Sequence, residues 1–358
     1  MCNSCISVLK QNYFEGALLE KKSFYINKEL NKLETQEKRI VLKSNPVNLM
    51  IILTRRCNLK CIMCPRIHEE KIALPLELVG KLYPLFPYLE WIDWQGGEVF
   101  LVDYFKKLFL EISNRQPHIL QHITTNGLLI DKEWAEIFSQ SNVDLLYSID
   151  GVTKDVYEYV RTGARFDDLI RSLELINEFK EKRGNYNRLE MTAVVMKCNY
   201  KNLSLFPDFC KRYNFNSLTL NFLQPEIIPE QDILINPDPE AISYLRVIIP
   251  QIKNTCKEYN IEFKCMFESR LIDSQQHPLD KNIKADPYDC IYPWTRIHVQ
   301  PDGKVYPACQ CSLSIGDLKN NTWEDIWNGH TMQLYRNLIF NGRREEICSQ
   351  QCLIYPPD

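Results

Sequence analysis

The chain has 358 residues, 45% apolar and 25% charged, with a formal net charge of −3, a balance that suits a globular protein with one large core or two modest ones. The near-neutral charge, without a long Lys/Arg block, argues against nucleic acid as the main partner. No apolar run approaches the length of a membrane span.

The 14 cysteines are many for this length, and the opening Met1-Cys2-Asn3-Ser4-Cys5 lacks the features of an export leader. Abundant thiols without an export signal favour metal binding over disulfides, in a reducing cytoplasm. Nothing in the sequence sets an oligomeric state.

Residues 1–45 read as an N-terminal extension of uncertain role, with a Cys2/Cys5 pair and a mixed-charge stretch from Lys32 to Arg39. From 46 to 224 strand-like runs recur at 47–54, 89–94, 119–124, 145–149, 189–197 and 217–222. Helical patterns lie between them. One carries Phe166, Leu169, Ile170, Leu173, Ile176 and Phe179 on a single face, and Asp131 reads as the N-cap of another with Trp134, Ile137 and Phe138.

This alternation predicts an α/β fold, a partial (β/α)6 TIM-like barrel of parallel strands. Residues 225–288 read as a Pro-rich linker, then a helix near 240–260 and a strand at 261–265 that complete the core. From 289 to 358 the composition predicts a small module stabilised by metal. Its hairpin turns at Pro301-Asp302-Gly303, and its short helix is capped by Asn321 or Thr322.

The chemistry-bearing stretch is Cys57-Asn58-Leu59-Lys60-Cys61-Ile62-Met63-Cys64, spaced C-x3-C-x2-C directly after the first apolar run. Three thiols in one loop can hold an iron–sulfur cluster with an open position, or zinc with a distant fourth ligand. In barrels of this kind the active site lies at the C-terminal ends of the strands. There the sequence repeatedly places polar and Gly-rich stretches: Gln95-Gly96-Gly97-Glu98, Thr125-Asn126-Gly127 and Ser148-Ile149-Asp150-Gly151. A second set of thiols, Cys290, Cys309, Cys311, Cys348 and Cys352, has the arithmetic of a further metal site.

The C-x3-C-x2-C loop resembles the signature of radical S-adenosylmethionine enzymes. The tract from Cys290 to Trp294, with Pro301 to Pro307, Gly316-Asp317-Leu318 and Ile326-Trp327-Asn328, resembles a SPASM or twitch auxiliary domain. The resemblance implies two [4Fe–4S] clusters and S-adenosylmethionine as cofactors. Cys57, Cys61 and Cys64 would hold the first cluster. Gly96, Gly97, Glu98, Thr125, Asn126, Ser148, Asp150, Arg161 and Asn199 would line the cofactor site.

The auxiliary cluster would take Cys290, Cys309, Cys348 and Cys352, with Cys311 as rival, because Ala308 stands where relatives have a cysteine. The implied activity is hydrogen-atom abstraction by a 5'-deoxyadenosyl radical, fed by an external one-electron donor of flavodoxin or ferredoxin type. No extra leader-peptide-binding module is read, and the Cys-Ile-Met-Cys-Pro wording resembles members working on carbohydrate-like molecules. The substrate expectation is therefore oxidation or redox rearrangement of a sugar or aminocyclitol. Modification of a peptide or protein is the alternative, with Cys198 or Cys265 as hydrogen donor if the reaction is an epimerisation. A zinc-stapled binding protein is the non-enzyme reading.

Overall fold

The apolar run after residue 47 sets the architecture. Asn48–Thr54 forms β1, buried from Leu49 to Thr54, as a parallel strand covered on both faces must be. A computed structural model describes residues 23–183, 187–223, 227–234, 237–268, 271, 290–309 and 311–348. From β1 the sheet continues in chain order through β2 (Trp91–Gly96), β3 (Leu120–Thr125), β4 (Val143–Ser148), β5 (Leu189–Val195), β6 (Ser217–Phe222) and β7 (Glu262–Cys265), all parallel.

Helix α1 (23–36) precedes β1. The crossovers carry α2 (Leu76–Gly80), α3 (Phe105–Arg115), α4 (Lys132–Phe138), α5 (Lys154–Val160), α6 (Phe166–Arg183), α7 (Phe206–Arg212) and α8 (Pro239–Glu258). The first six strands form the expected partial barrel, and β7 extends its far edge.

Sequence pattern explains the helices. α3 buries Phe105, Leu108, Phe109 and Ile112, and α6 buries Leu169, Leu173, Ile176 and Phe179, each a stripe of helical period. The Asp131 side chain accepts the Trp134 backbone N–H at 2.9 Å and so starts α4. Trp134 then packs on Phe100, with ring centroids 4.8 Å apart, and on Phe138 at 5.2 Å.

The C-terminal stretch is joined to the barrel by its sheet. Its first strand, β8 (Arg296–Val299), pairs in parallel with β1 from Asn48↔Arg296 to Ile51↔Val299 and so lengthens the barrel sheet. The free edge of β1 presents backbone donors and acceptors that a buried sheet must pair. The predicted hairpin then forms: β9 (Lys304–Tyr306) returns antiparallel, followed by β10 (Gly316–Asp317). Around it lie α9 (Tyr292–Thr295), α10 (Trp323–Trp327) and α11 (His330–Phe340). Thr322, not Asn321, is the cap of α10, and it forms a full capping box with Asp325.

Residues 23–45 stitch this region to the barrel. Asn31 donates to the Trp294 carbonyl at 2.7 Å, and the Trp294 indole donates to the Arg39 carbonyl at 2.7 Å. Arg336, fully buried on α11, donates to the carbonyls of Pro293, Ile40 and Trp327 at 2.9 Å each. Lys28 reaches Glu90 just before β2, so α1 runs past the N-terminal ends of the strands, opposite the chemistry.

Candidate active site

The sheet delivers the sequence-predicted residues to one edge. Beyond β1, the loop with Cys57, Cys61 and Cys64 is zipped to the turn after α5: Lys60 N–H donates to Thr162 O at 2.9 Å and Ile62 N–H to Val160 O at 3.0 Å. Beyond β2, Gly97 N–H donates to Thr54 O at 2.7 Å and Glu98 N–H to Arg56 O at 2.8 Å. A Cβ on Gly97 would lie 2.1 Å from the Arg56 carbonyl oxygen, so only glycine allows the two loops to meet.

Glu98 is fully buried and fixed by β3. The Thr125 hydroxyl donates to both of its carboxylate oxygens (3.1 and 2.9 Å), and Asn126 N–H donates to one at 2.9 Å. Burial pushes its carboxyl up to about 7, against those hydrogen bonds. The Asn126 amide reaches Asn58 Oδ1 at 2.9 Å and Cys57 Sγ at 3.9 Å, tying the third strand end to the thiol loop.

Arg161 and Asp150 meet beneath that loop. Both are buried, with Arg161 Nη2 2.7 Å from Asp150 Oδ2 and Arg161 Nη1 4.0 Å from Cys61 Sγ. Asp150 Oδ1 also accepts Val194 N–H at 2.7 Å. The carboxylate is therefore turned to protein partners, while Ser148 at the end of β4 is half-buried. The expected Ser148/Asp150 pair thus divides between two environments.

Asn199 also differs from the expectation of a cofactor contact. Both amide hydrogens are used, on Asp150 O and Val194 O at 2.8 Å each, and its oxygen accepts Met196 N–H at 2.7 Å. It clamps two loops together. Cys198 packs in a small apolar cluster with Ile62 and Met63 of the thiol loop. Cys265 packs against the main core instead. Burial pushes the two thiols up to about 11 and about 12, so both stay protonated near neutral pH.

The residues fit an iron–sulfur cluster with a bound amino acid moiety. The donor set is three thiols in one loop, and Cys57 Sγ accepts Leu59 N–H at 3.4 Å. Arg161 Nε is buried without a hydrogen-bond partner, a donor suited to a carboxylate. Among the described residues no three His, Cys, Asp or Glu side chains converge to hold a single ion. Burial pushes Cys61 up to about 11, with Arg161 opposing, so cluster loading must displace protons.

A second polar feature lies in the barrel interior, where His122 on β3 bridges Asp93 on β2 (3.1 Å) and Glu190 on β5 (3.3 Å). Arg188 holds the other Glu190 oxygen at 3.1 Å, and Gln95 donates to the other Asp93 oxygen at 2.8 Å. The signal for this network was the polar residue at alternate positions, Asp93/Gln95, His122/Thr124 and Glu190/Thr192, in strands that would otherwise be continuously apolar. Of these six, sequence reasoning singled out Gln95 alone, and there as part of the Gly-rich strand end.

In the C-terminal region the backbones of Cys311 and Cys348 form an antiparallel bridge. Cys290 is buried and Cys309 exposed. Cys311, the expected rival, thus stands opposite Cys348 where Cys309 was expected to act. The difference follows from Cys311 N–H turning back to Ala308 O at 3.2 Å and from Ser312 Oγ donating to Ile347 O at 2.8 Å. Cys352, like Cys2 and Cys5, lies outside the described residues.

Comparison with known proteins agrees with this geometry. Residues 51–188 match the Radical SAM superfamily, and residues 290–353 match SPASM, described as an iron-sulfur cluster-binding domain. A cysteine-type anaerobic sulfatase-maturating enzyme of Clostridium novyi is 25% identical over 73% of this chain and 70% of its own length. A probable GTP 3',8-cyclase of Methanococcus maripaludis is 22% identical over 84% and 95%.

Among solved structures, Streptococcus suis SuiB bound to precursor peptide SuiA superposes with a TM-score of 0.61 at 18% identity, covering 85% of this chain and 69% of that one. Native anSMEcpe with bound AdoMet and Cp18Cys peptide gives 0.59 at 18%, covering 86% and 90%. No helix among the described residues is long and apolar enough to cross a membrane. With its thiol loop at the mouth of a partial barrel and its cysteine-bearing C-terminal region, the chain belongs to the radical S-adenosylmethionine superfamily and carries a SPASM domain.

Proposed function

We propose that this radical enzyme modifies a peptide or protein. One observation carries the reading: the similarity to a sulfatase-maturating enzyme runs over 73% of this chain, well beyond the barrel core alone. The SuiB and anSMEcpe structures with bound peptides, and a mycofactocin maturase 25% identical over 50% of this chain, add weight on the same side. The comparisons thus favour peptides over the sugar or aminocyclitol expected from sequence. A polar small molecule is the second reading, favoured by the 84% span of the GTP 3',8-cyclase similarity.

Cys57, Cys61 and Cys64 would hold the first [4Fe–4S] cluster, and the stretch from Gly96 to Glu98 would lie along the methionine moiety of S-adenosylmethionine. When bound, the two cofactors together supply a 5'-deoxyadenosyl radical. Glu98, held by Thr125 and Asn126, would accept from an amino group, whose positive charge would favour the carboxylate form. Arg161 Nε, buried without a hydrogen-bond partner, would meet a carboxylate, and the half-buried Ser148 would meet ribose oxygens. Asn199 positions Asp150 rather than touching ligand.

Cys290, Cys311 and Cys348, joined by Cys309 or Cys352, would hold the auxiliary cluster. Cys198, kept as a thiol beside Met63, is better placed than Cys265 to give up a hydrogen atom. A flavodoxin- or ferredoxin-type protein would supply the electron.

The test is substrate-stimulated release of 5'-deoxyadenosine by reconstituted, reduced protein. Cys- and Ser-containing peptides, GTP and an aminocyclitol are offered in parallel, and each is weighed by mass spectrometry. A mass change in a peptide is expected. Turnover of GTP or the cyclitol alone would overturn the peptide reading.

A further inference from the structure

Three of the residues expected to contact cofactor are instead joined to one another below the thiol loop. The Asp150 carboxylate is held from two sides, by Val194 N–H at 2.7 Å and by Arg161 at 2.7 Å, and its carbonyl oxygen accepts the Asn199 amide at 2.8 Å. Neither member of the ion pair can swing to water: Asp150 is 0% and Arg161 6% exposed. The same guanidinium places Nη1 4.0 Å from Cys61 Sγ.

A buried positive charge at that distance is poorly screened. It favours whichever state of a neighbouring redox group is the more negative, and the carboxylate behind it offsets that pull. We propose that Asp150 sets the reduction potential of the cluster held by Cys57, Cys61 and Cys64, acting through Arg161. Asp150 is thus a positioning residue that touches none of the reacting atoms. The inference rests on the cluster assignment above.

The experiment is a redox titration of the reconstituted full chain, followed by electron paramagnetic resonance. The SPASM cluster in the same molecule serves as internal reference. Asp150→Asn leaves Arg161 uncompensated, because a guanidinium does not give up its proton, and the first cluster's potential rises while the reference stays fixed. Adding Arg161→Gln removes the uncompensated charge and returns the potential to the wild-type value. A purely structural role predicts no such return.

Should Asp150→Asn load no first cluster, Arg161→Lys carries the test. It keeps the ion pair but loses the reach to Cys61, and the potential falls. An unchanged potential in Asp150→Asn, or in Arg161→Lys where that variant is used, overturns the proposal. Wild-type protein that binds no iron at the first loop instead sinks the cluster assignment, and the two failures are told apart by iron analysis.

Discussion

The two sets of thiols are built in opposite ways. Cys57, Cys61 and Cys64 sit in one loop at the end of a buried strand, and two backbone hydrogen bonds to Val160 and Thr162 fix that loop. The C-terminal thiols lie far apart in sequence, and the fold must assemble them through the β8–β1 pairing and the Cys311–Cys348 bridge. A local centre has all its thiols in one loop and needs only that loop to be held. A dispersed one depends on everything that docks its pieces, including α1 and Arg336.

The sharpest way to separate the two centres is to remove the local ligands. Alanine at Cys57, Cys61 and Cys64 together should abolish 5'-deoxyadenosine formation, a loss of about a thousandfold or more measured by chromatography. The C-terminal thiols should keep their iron.

The dispersed region should be more sensitive to its docking. Arg336→Ala leaves the carbonyls of Pro293, Ile40 and Trp327 without their donor. Chemical denaturation should show a loss of about 3–5 kcal/mol, and Arg336→Lys should recover only part, because one ammonium cannot span the three carbonyls.

Gly97→Ala probes the local centre without touching a thiol. The added Cβ at 2.1 Å from Arg56 O must part the two loops. Cofactor cleavage should fall roughly tenfold or more, equivalent to about 1.4 kcal/mol or more, with a lowered melting temperature as the backbone bonds between the loops are strained.

A smaller contrast lies within the C-terminal set. Cys311→Ala should cost the auxiliary cluster, and Cys309→Ala should retain most of it, read as iron per chain. The reverse result would restore the ligand set expected from sequence.

A last contrast is one of pH. Asp93 and Glu190 raise His122 from 6.5 to about 9, against desolvation. Its stabilisation is therefore complete below pH 6.5 and is lost as pH rises through 9, on the order of 2 kcal/mol. The partner Glu190 is lowered, mainly by His122, so its share fades instead as pH falls through the carboxylate range. Denaturation midpoints across pH 6–10 should decline in the wild type and stay flatter in His122→Gln.

These contrasts also explain what was legible in the sequence. The succession of parallel strands and the thiol loop could be read because each depends on a run or spacing of neighbouring residues. The cap at Asp131 was readable for the same reason. The pairing of β8 with β1, the backbone bridge between Cys311 and Cys348 and the His122 network were not, because each joins segments whose register only the folded sheet defines. Asp150 and Asn199 were expected at the cofactor site through the family resemblance. Their commitment to protein partners follows from burial, which no motif records.

The most direct measurement is iron and acid-labile sulfide in anaerobically reconstituted protein, with electron paramagnetic resonance of the reduced sample with and without S-adenosylmethionine. The account predicts about eight irons per chain, about four in the variant lacking Cys57, Cys61 and Cys64, and a wild-type signal altered by the nucleotide. Zinc without sulfide, or a signal indifferent to S-adenosylmethionine, would contradict it.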